Sequence, residues 1–132
     1  MKKRGLAAAL AMLTMATTGT AFAATSFWQP VYYTNVGYNA STVKKVANAD
    51  HAYIRVTESN HNELSTNYLV TRADNGVQMT QGAFVISNGD RSRKSNPYKS
   101  GYYQYSGNCV LRINAAQHEA NYTVWGEWNP NG

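Results

Sequence analysis

The chain has 132 residues, twelve Lys and Arg against seven Asp and Glu, and one cysteine. One cysteine excludes an internal disulfide, and this length points to one domain with one core rather than several. Lys2, Lys3 and Arg4 belong to an export segment; without these three, nine basic residues face seven acidic ones, and the net charge falls from +5 to +2. A balance so close to neutral lacks the basic face on which nucleic-acid binding depends, so no nucleic-acid partner is expected.

The opening MKKRGLAAALAMLTMATTGTAFA joins a basic start to an apolar stretch from Leu6 to Ala16, with Ala21 and Ala23 at an A-x-A site. This is the pattern of a secretory signal peptide, residues 1–23, helical in its apolar part and cleaved after Ala23. The apolar stretch is too short to span a bilayer, and no later run of about 18 apolar residues exists. No cysteine follows it to accept a lipid, and no wall-sorting tail closes the chain. The expected product is residues 24–132, secreted or held non-covalently at the cell envelope, with no integral membrane anchor.

From Ala24 onward, short β-rich runs alternate with Asn, Gly, Ser and Asp, and helical periodicity is scarce. SFWQPVYYT (26–34) reads as an opening strand that Pro30 confines to an edge or a bulge. STVKKVANA (41–49) suits a short helix capped by Ser41 or a strand equally well. AYIRVT (52–57) alternates, placing Ala52, Ile54 and Val56 on one face. TNYLVTRA (66–73) runs into Asp74-Asn75-Gly76, a strong hairpin signal, from which VQMT (77–80) returns. AFVIS (83–87) follows the break at Gly82.

NGDRSRKSNPYKSG (88–101) reads as the longest structureless segment. It carries Arg91, Arg93, Lys94 and Lys99 against Asp90. Such a loop suits an anionic polymer or lipid headgroup, or is simply a solvated surface.

In GYYQYSGNCVLRI (101–113), a two-residue turn at Gly107-Asn108 makes a hairpin of strands 101–105 and 109–114. Tyr105 then faces Val110, Tyr103 faces Arg112, and Tyr102, Cys109, Leu111 and Ile113 point to the core. Tyr103, Tyr105 and Arg112 form a candidate binding face for sugar rings or a protein surface. A three-residue turn would instead send both outer tyrosines inward. FWQPVYY and VWGEW add amphipathic rings at the two ends of the exported chain. The last strand is 121–128. Seven or eight short strands at this spacing predict an all-β fold, a small antiparallel β-sandwich, with a small barrel as the alternative.

Chemistry leaves little trace in the sequence. Asp50-His51, His61-Asn62-Glu63 and His118-Glu119 have no metal-ligand spacing, and no nucleophile elbow, Gly-rich phosphate loop or facing carboxylate pair is present. Cys109, inside C-V-L-R-I, reads as a buried apolar residue rather than a reactive thiol. Neither catalytic residues nor a metal nor a cofactor is expected, and the protein is expected not to be an enzyme.

The ending YTVWGEWNPNG resembles that of small exported proteins of Gram-positive bacteria whose last strand closes on G-x-W-x-P-(Asp or Asn). Here those positions are Gly126, Trp128, Pro130 and Asn131. NADHAYIRVT (48–57) and NCVLRI (108–113) are similar in style to the middle strands of that group, so the resemblance covers the chain from residue 48 onward. It implies export and a compact β fold, and no activity. A second similarity, in class alone, is to secreted β-sandwich bacteriocins of the lactococcin kind, which share the signal peptide, small size, aromatic richness and few cysteines. The expected function is non-enzymatic binding of an envelope polymer, lipid headgroup or protein, the alternative being a bacteriocin-like competition protein.

Overall fold

The computed structural model describes residues 23–34, 37–117 and 119–132. The predicted signal segment up to residue 22, including Ala21, lies outside them. Ala23 is exposed, two residues before the first strand begins, so cleavage there leaves every described strand whole.

Among the described residues, eight strands form two four-stranded antiparallel sheets that face each other as a sandwich, with no closed barrel. They are β1 (Thr25–Val31), β2 (Tyr38–Lys45), β3 (His51–Ser59), β4 (Ser65–Arg72), β5 (Phe84–Ser87), β6 (Lys94–Pro97), β7 (Gly107–Ala115) and β8 (Tyr122–Asn129). The first sheet has the order β1-β8-β3-β6 and the second β2-β7-β4-β5. Consecutive strands are sheet neighbours only at β4 and β5; every other connection passes from one sheet to the other.

Period-two patterning explains the core. Ala52, Ile54 and Val56 of β3, Val124 and Trp128 of β8, and Cys109, Leu111 and Ile113 of β7 are buried between the sheets, with Tyr68 and Val70 of β4 opposite. Each is separated from the next inward residue by one that faces out, as the pleat requires. Pro30 sits on β1, an edge strand with a single neighbour, where its missing N–H interrupts no second ladder.

The sequence motif at the C-terminus works as a clasp between sheets. Gly126 lies where a Cβ would collide with the Arg55 carbonyl and the Phe27 ring, so only glycine lets β8 run between β1 and β3. Trp128 Nε1 donates to Ser41 Oγ of the opposite sheet at 2.6 Å. The Pro130 carbonyl accepts from the Tyr98 hydroxyl at 2.5 Å, and Asn131 bridges β2 by accepting from Val46 N at 2.8 Å and donating to the Lys44 carbonyl at 3.0 Å. Every residue of the G-x-W-x-P-N pattern thus has a structural task.

Of the two readings left open for 41–49, residues 41–45 are strand, because β2 pairs along its length with β7. Other local expectations are corrected. The Asn75-Gly76 turn forms, but as a wider loop: Arg72 N donates to the Val77 carbonyl at 2.9 Å, and only Gly76 takes positive φ, +71°. The returning VQMT segment makes isolated bridges at Gln78 and Thr80 instead of a strand. The supposedly structureless 88–101 contains β6, which edges the first sheet beside β3.

The largest correction concerns the tyrosine hairpin. Residues 100–102 form a 3-10 turn, no strand covers 101–105, and β7 begins at Gly107 itself. Both ladders of β7 are already occupied, by β2 on one side and β4 on the other, so no hairpin partner fits beside it. Neither the two-residue nor the three-residue turn exists.

Candidate functional site

Tyr103, Tyr105 and Arg112 are not brought together. Arg112 lies on the outer face of the second sheet between Asn39 and Leu69, against Gly37 and about 17 Å along β7 from Gly107. Tyr105 is locked in place: its ring lies against Gly107, 4.8 Å from the Arg72 guanidinium and edge-on to Tyr102 at 6.2 Å, while its hydroxyl donates to the Asn108 carbonyl at 3.2 Å. Tyr103 alone keeps an exposed ring, 37% accessible.

The backbone of this segment is held by a lysine. Lys45, fully buried, donates from Nζ to the carbonyls of Val46, Tyr103 and Tyr105 at 3.1 to 3.2 Å, and lies 4.8 Å from the centre of the Tyr98 ring. Burial pulls its pKa below the ordinary lysine value, opposed by Cys109 and Asp50. Three carbonyl dipoles and an aromatic face compensate for lost hydration. Lys45 therefore acts as an internal strut for residues 103–105.

The basic loop is likewise engaged. Lys94 pairs with Asp90 at 2.9 Å, and this bond holds the Asp90 carboxyl well below the usual carboxylate range. Arg91 donates to the Asn88 carbonyl and to Asn62 Oδ1, and its own carbonyl accepts from Arg55 Nε at 3.0 Å. The Arg93 guanidinium covers the ring of Tyr53 at 3.6 Å. Lys99 stands exposed outside these contacts.

Two of the His-acid pairs are local hydrogen bonds, His51 to Asp50 and His61 to Glu63, each 2.7 Å. Those bonds lower the pKa of both carboxyls. His118 lies outside the described residues. Among the described residues no three His, Cys, Asp or Glu side chains are grouped to hold a metal. Cys109 is buried with Met79 Sδ 3.6 Å away, and burial pushes its thiol up to about 11, so little thiolate exists near neutrality.

What the fold does assemble is the outer face of the first sheet. Trp28 of β1 and Trp125 of β8 are direct cross-strand partners, and Trp125 is in turn opposite Glu58 of β3. Phe27, Val124 and Gly126 on either side point inward, which fixes both indoles on the outer surface. Trp28 is 60% exposed and Trp125 half-buried. The next row along the strands is Ser26, Glu127 and Arg55, in register across the same three strands. Tyr53 follows on the same face, beneath Arg93.

The sequence held the signal for this face in two pieces, FWQPVYY and VWGEW, almost a hundred residues apart. Nothing local says that β1 pairs with β8, and only that pairing makes Trp28 and Trp125 neighbours. No pocket occurs among the described residues, and this face of the sheet is an open surface. Comparison with protein-family models, curated proteins and solved structures returns no match.

Proposed function

We propose that the chain is an exported, non-enzymatic protein that attaches to the cell envelope by binding one of its components through the outer face of the first sheet. The observation that carries this reading is the cross-strand pair of exposed Trp28 and half-buried Trp125 on the outer face of the sheet, beside Glu58, Glu127 and Arg55. A 60% exposed tryptophan contributes little to folding, whereas tryptophan and arginine are the side chains that anchor binding surfaces most often. The export half of the proposal rests on the signal pattern of residues 1–23 and on strands that begin just after it. Among the described residues no cofactor or metal enters the reading.

Retention of residues 24–132 on isolated intact cell walls tests it. Changing Trp28→Ala together with Trp125→Ala is expected to lower retention by about tenfold or more, corresponding to at least ~1.4 kcal/mol. Tyr103→Ala and Lys99→Ala are expected to leave it unchanged. Absence of retention, or retention indifferent to the tryptophans, contradicts the proposal; growth inhibition of related strains by a protein that walls do not retain would move the chain to the competition-protein reading.

A further inference from the structure

The wall-binding reading leaves the bound chemistry open, and the charge pattern of the face narrows it. Around the two indoles, Glu58 and Glu127 are balanced by Arg55 and Arg93, so the surface has both signs and no net charge. An anionic polymer or lipid headgroup is attracted by a surplus of positive charge. Apart from Arg93, which covers the Tyr53 ring, the basic loop lies beside this face and not on it: Lys94 is paired with Asp90, Arg91 donates to Asn62 and Asn88, and only Lys99 stands exposed outside these contacts.

A protein partner fits less well than a sugar. The largest apolar side chains on this face are Trp28 and Trp125, whose row ends at Glu58, with Pro30 two residues along β1 and Tyr53 beneath Arg93; the adjacent row of Ser26, Glu127 and Arg55 is polar. Protein interfaces concentrate apolar side chains at their centre and deplete charge there. Here charged groups stand directly beside the rings.

We infer that this face binds a neutral pyranose polymer, an inference that rests on the proposed binding role of the same face. A pyranose ring has an apolar C–H face and a rim of hydroxyls. The C–H face stacks on an indole, and the hydroxyl rim meets groups that accept (Glu58, Glu127) and donate (Arg55) hydrogen bonds. Trp28 and Trp125 lie on adjacent strands at roughly 5 Å spacing, giving an aromatic strip across an open sheet instead of a cleft. That shape suits an extended chain lying along the surface, contacted from one side.

Residues 24–132 would be mixed with insoluble chitin, with cellulose, and with wall glycan stripped of protein by protease and of anionic polymers by acid. Retention on at least one of these glycans is expected, falling tenfold or more in Trp28→Ala and largely restored in Trp28→Tyr. A cooperative urea-unfolding transition with a midpoint close to the parent's would show that the variants are folded. Glu127→Gln is expected to weaken retention less than Trp28→Ala, and raising salt is expected to change it little. Retention on none of the three glycans, or equal retention of the Trp28→Ala protein, overturns the inference. If intact walls hold the protein while all three stripped glycans do not, the glycan assignment falls and envelope binding stands. If intact walls fail as well, both fall.

Discussion

Two aromatic regions of the molecule have opposite fates. In residues 98–105 the four tyrosines are dense in sequence, yet Tyr98 is buried with its hydroxyl bonded to Pro130, Tyr102 packs against the core, and Tyr105 is wedged between Arg72 and Gly107. On the first sheet, the tryptophans are far apart in sequence and lie side by side with one indole largely in water. Aromatic density along a chain therefore does not mark a surface. What separates the two regions is whether ring and polar atoms are already satisfied by the fold.

The sharpest way to break the comparison is to remove the clasp on which both regions depend. Trp128→Ala deletes the largest buried side chain and its bond to Ser41, and is expected to cost about 4 kcal/mol in urea unfolding. Lys45→Met keeps the aliphatic stem but removes the lysine donor from three carbonyls, of which those of Val46 and Tyr103 keep backbone donors in Ala49 and Asn48, for an expected loss of about 1 kcal/mol. Increased protease cleavage confined to residues 100–106 would show that the loss falls on the tyrosine segment; glycan or wall retention at a temperature where the variant is folded should persist.

Cys109 gives an effect of similar size that depends on pH. Its folded pKa, about 11, is raised above the ordinary value of 9.0, so the stability it contributes is complete below pH 9 and is lost as pH rises through 9 to 11. By pH 10 the parent is expected to have lost roughly 1 kcal/mol more than Cys109→Ala does over the same range, read from unfolding midpoints. Trp28→Ala is expected to do least to folding, within about 0.5 kcal/mol of the parent, because an exposed side chain away from caps and buried networks has little to lose. A large loss there would place Trp28 among the structural aromatics and erase the contrast.

The strands and their inward faces were legible because period-two patterning is local: Ala52, Ile54 and Val56 could be placed inside from six residues of sequence. Pro30 was legible as an edge or a bulge because a missing N–H is a property of one residue, and it lies on the edge strand β1. Strand pairing was not, because the chain crosses between sheets at every connection except that from β4 to β5. A hairpin inferred from the turn residues Gly107 and Asn108 presumes that sequential strands are neighbours. Here β7 pairs with β2 and β4 instead, and Arg112 is carried away from Tyr103 and Tyr105. In the basic loop the charges were legible and their contacts were not: net charge counts residues and does not say that Asp90 closes on Lys94 or that Arg93 lies over Tyr53.

The chain has three tryptophans, so an amide-proton NMR spectrum of the uniformly ¹⁵N-labelled protein shows three indole N–H signals. Titration with a soluble neutral oligosaccharide from the glycan that retains the protein tests the account most directly. Trp28 and Trp125 signals are expected to shift together with the amides of Glu58 and Glu127, while the Trp128 indole, bonded to Ser41 inside the sandwich, stays fixed. Shifts gathered instead on residues 98–105 or around Arg112, with Trp28 and Trp125 unmoved, would contradict it.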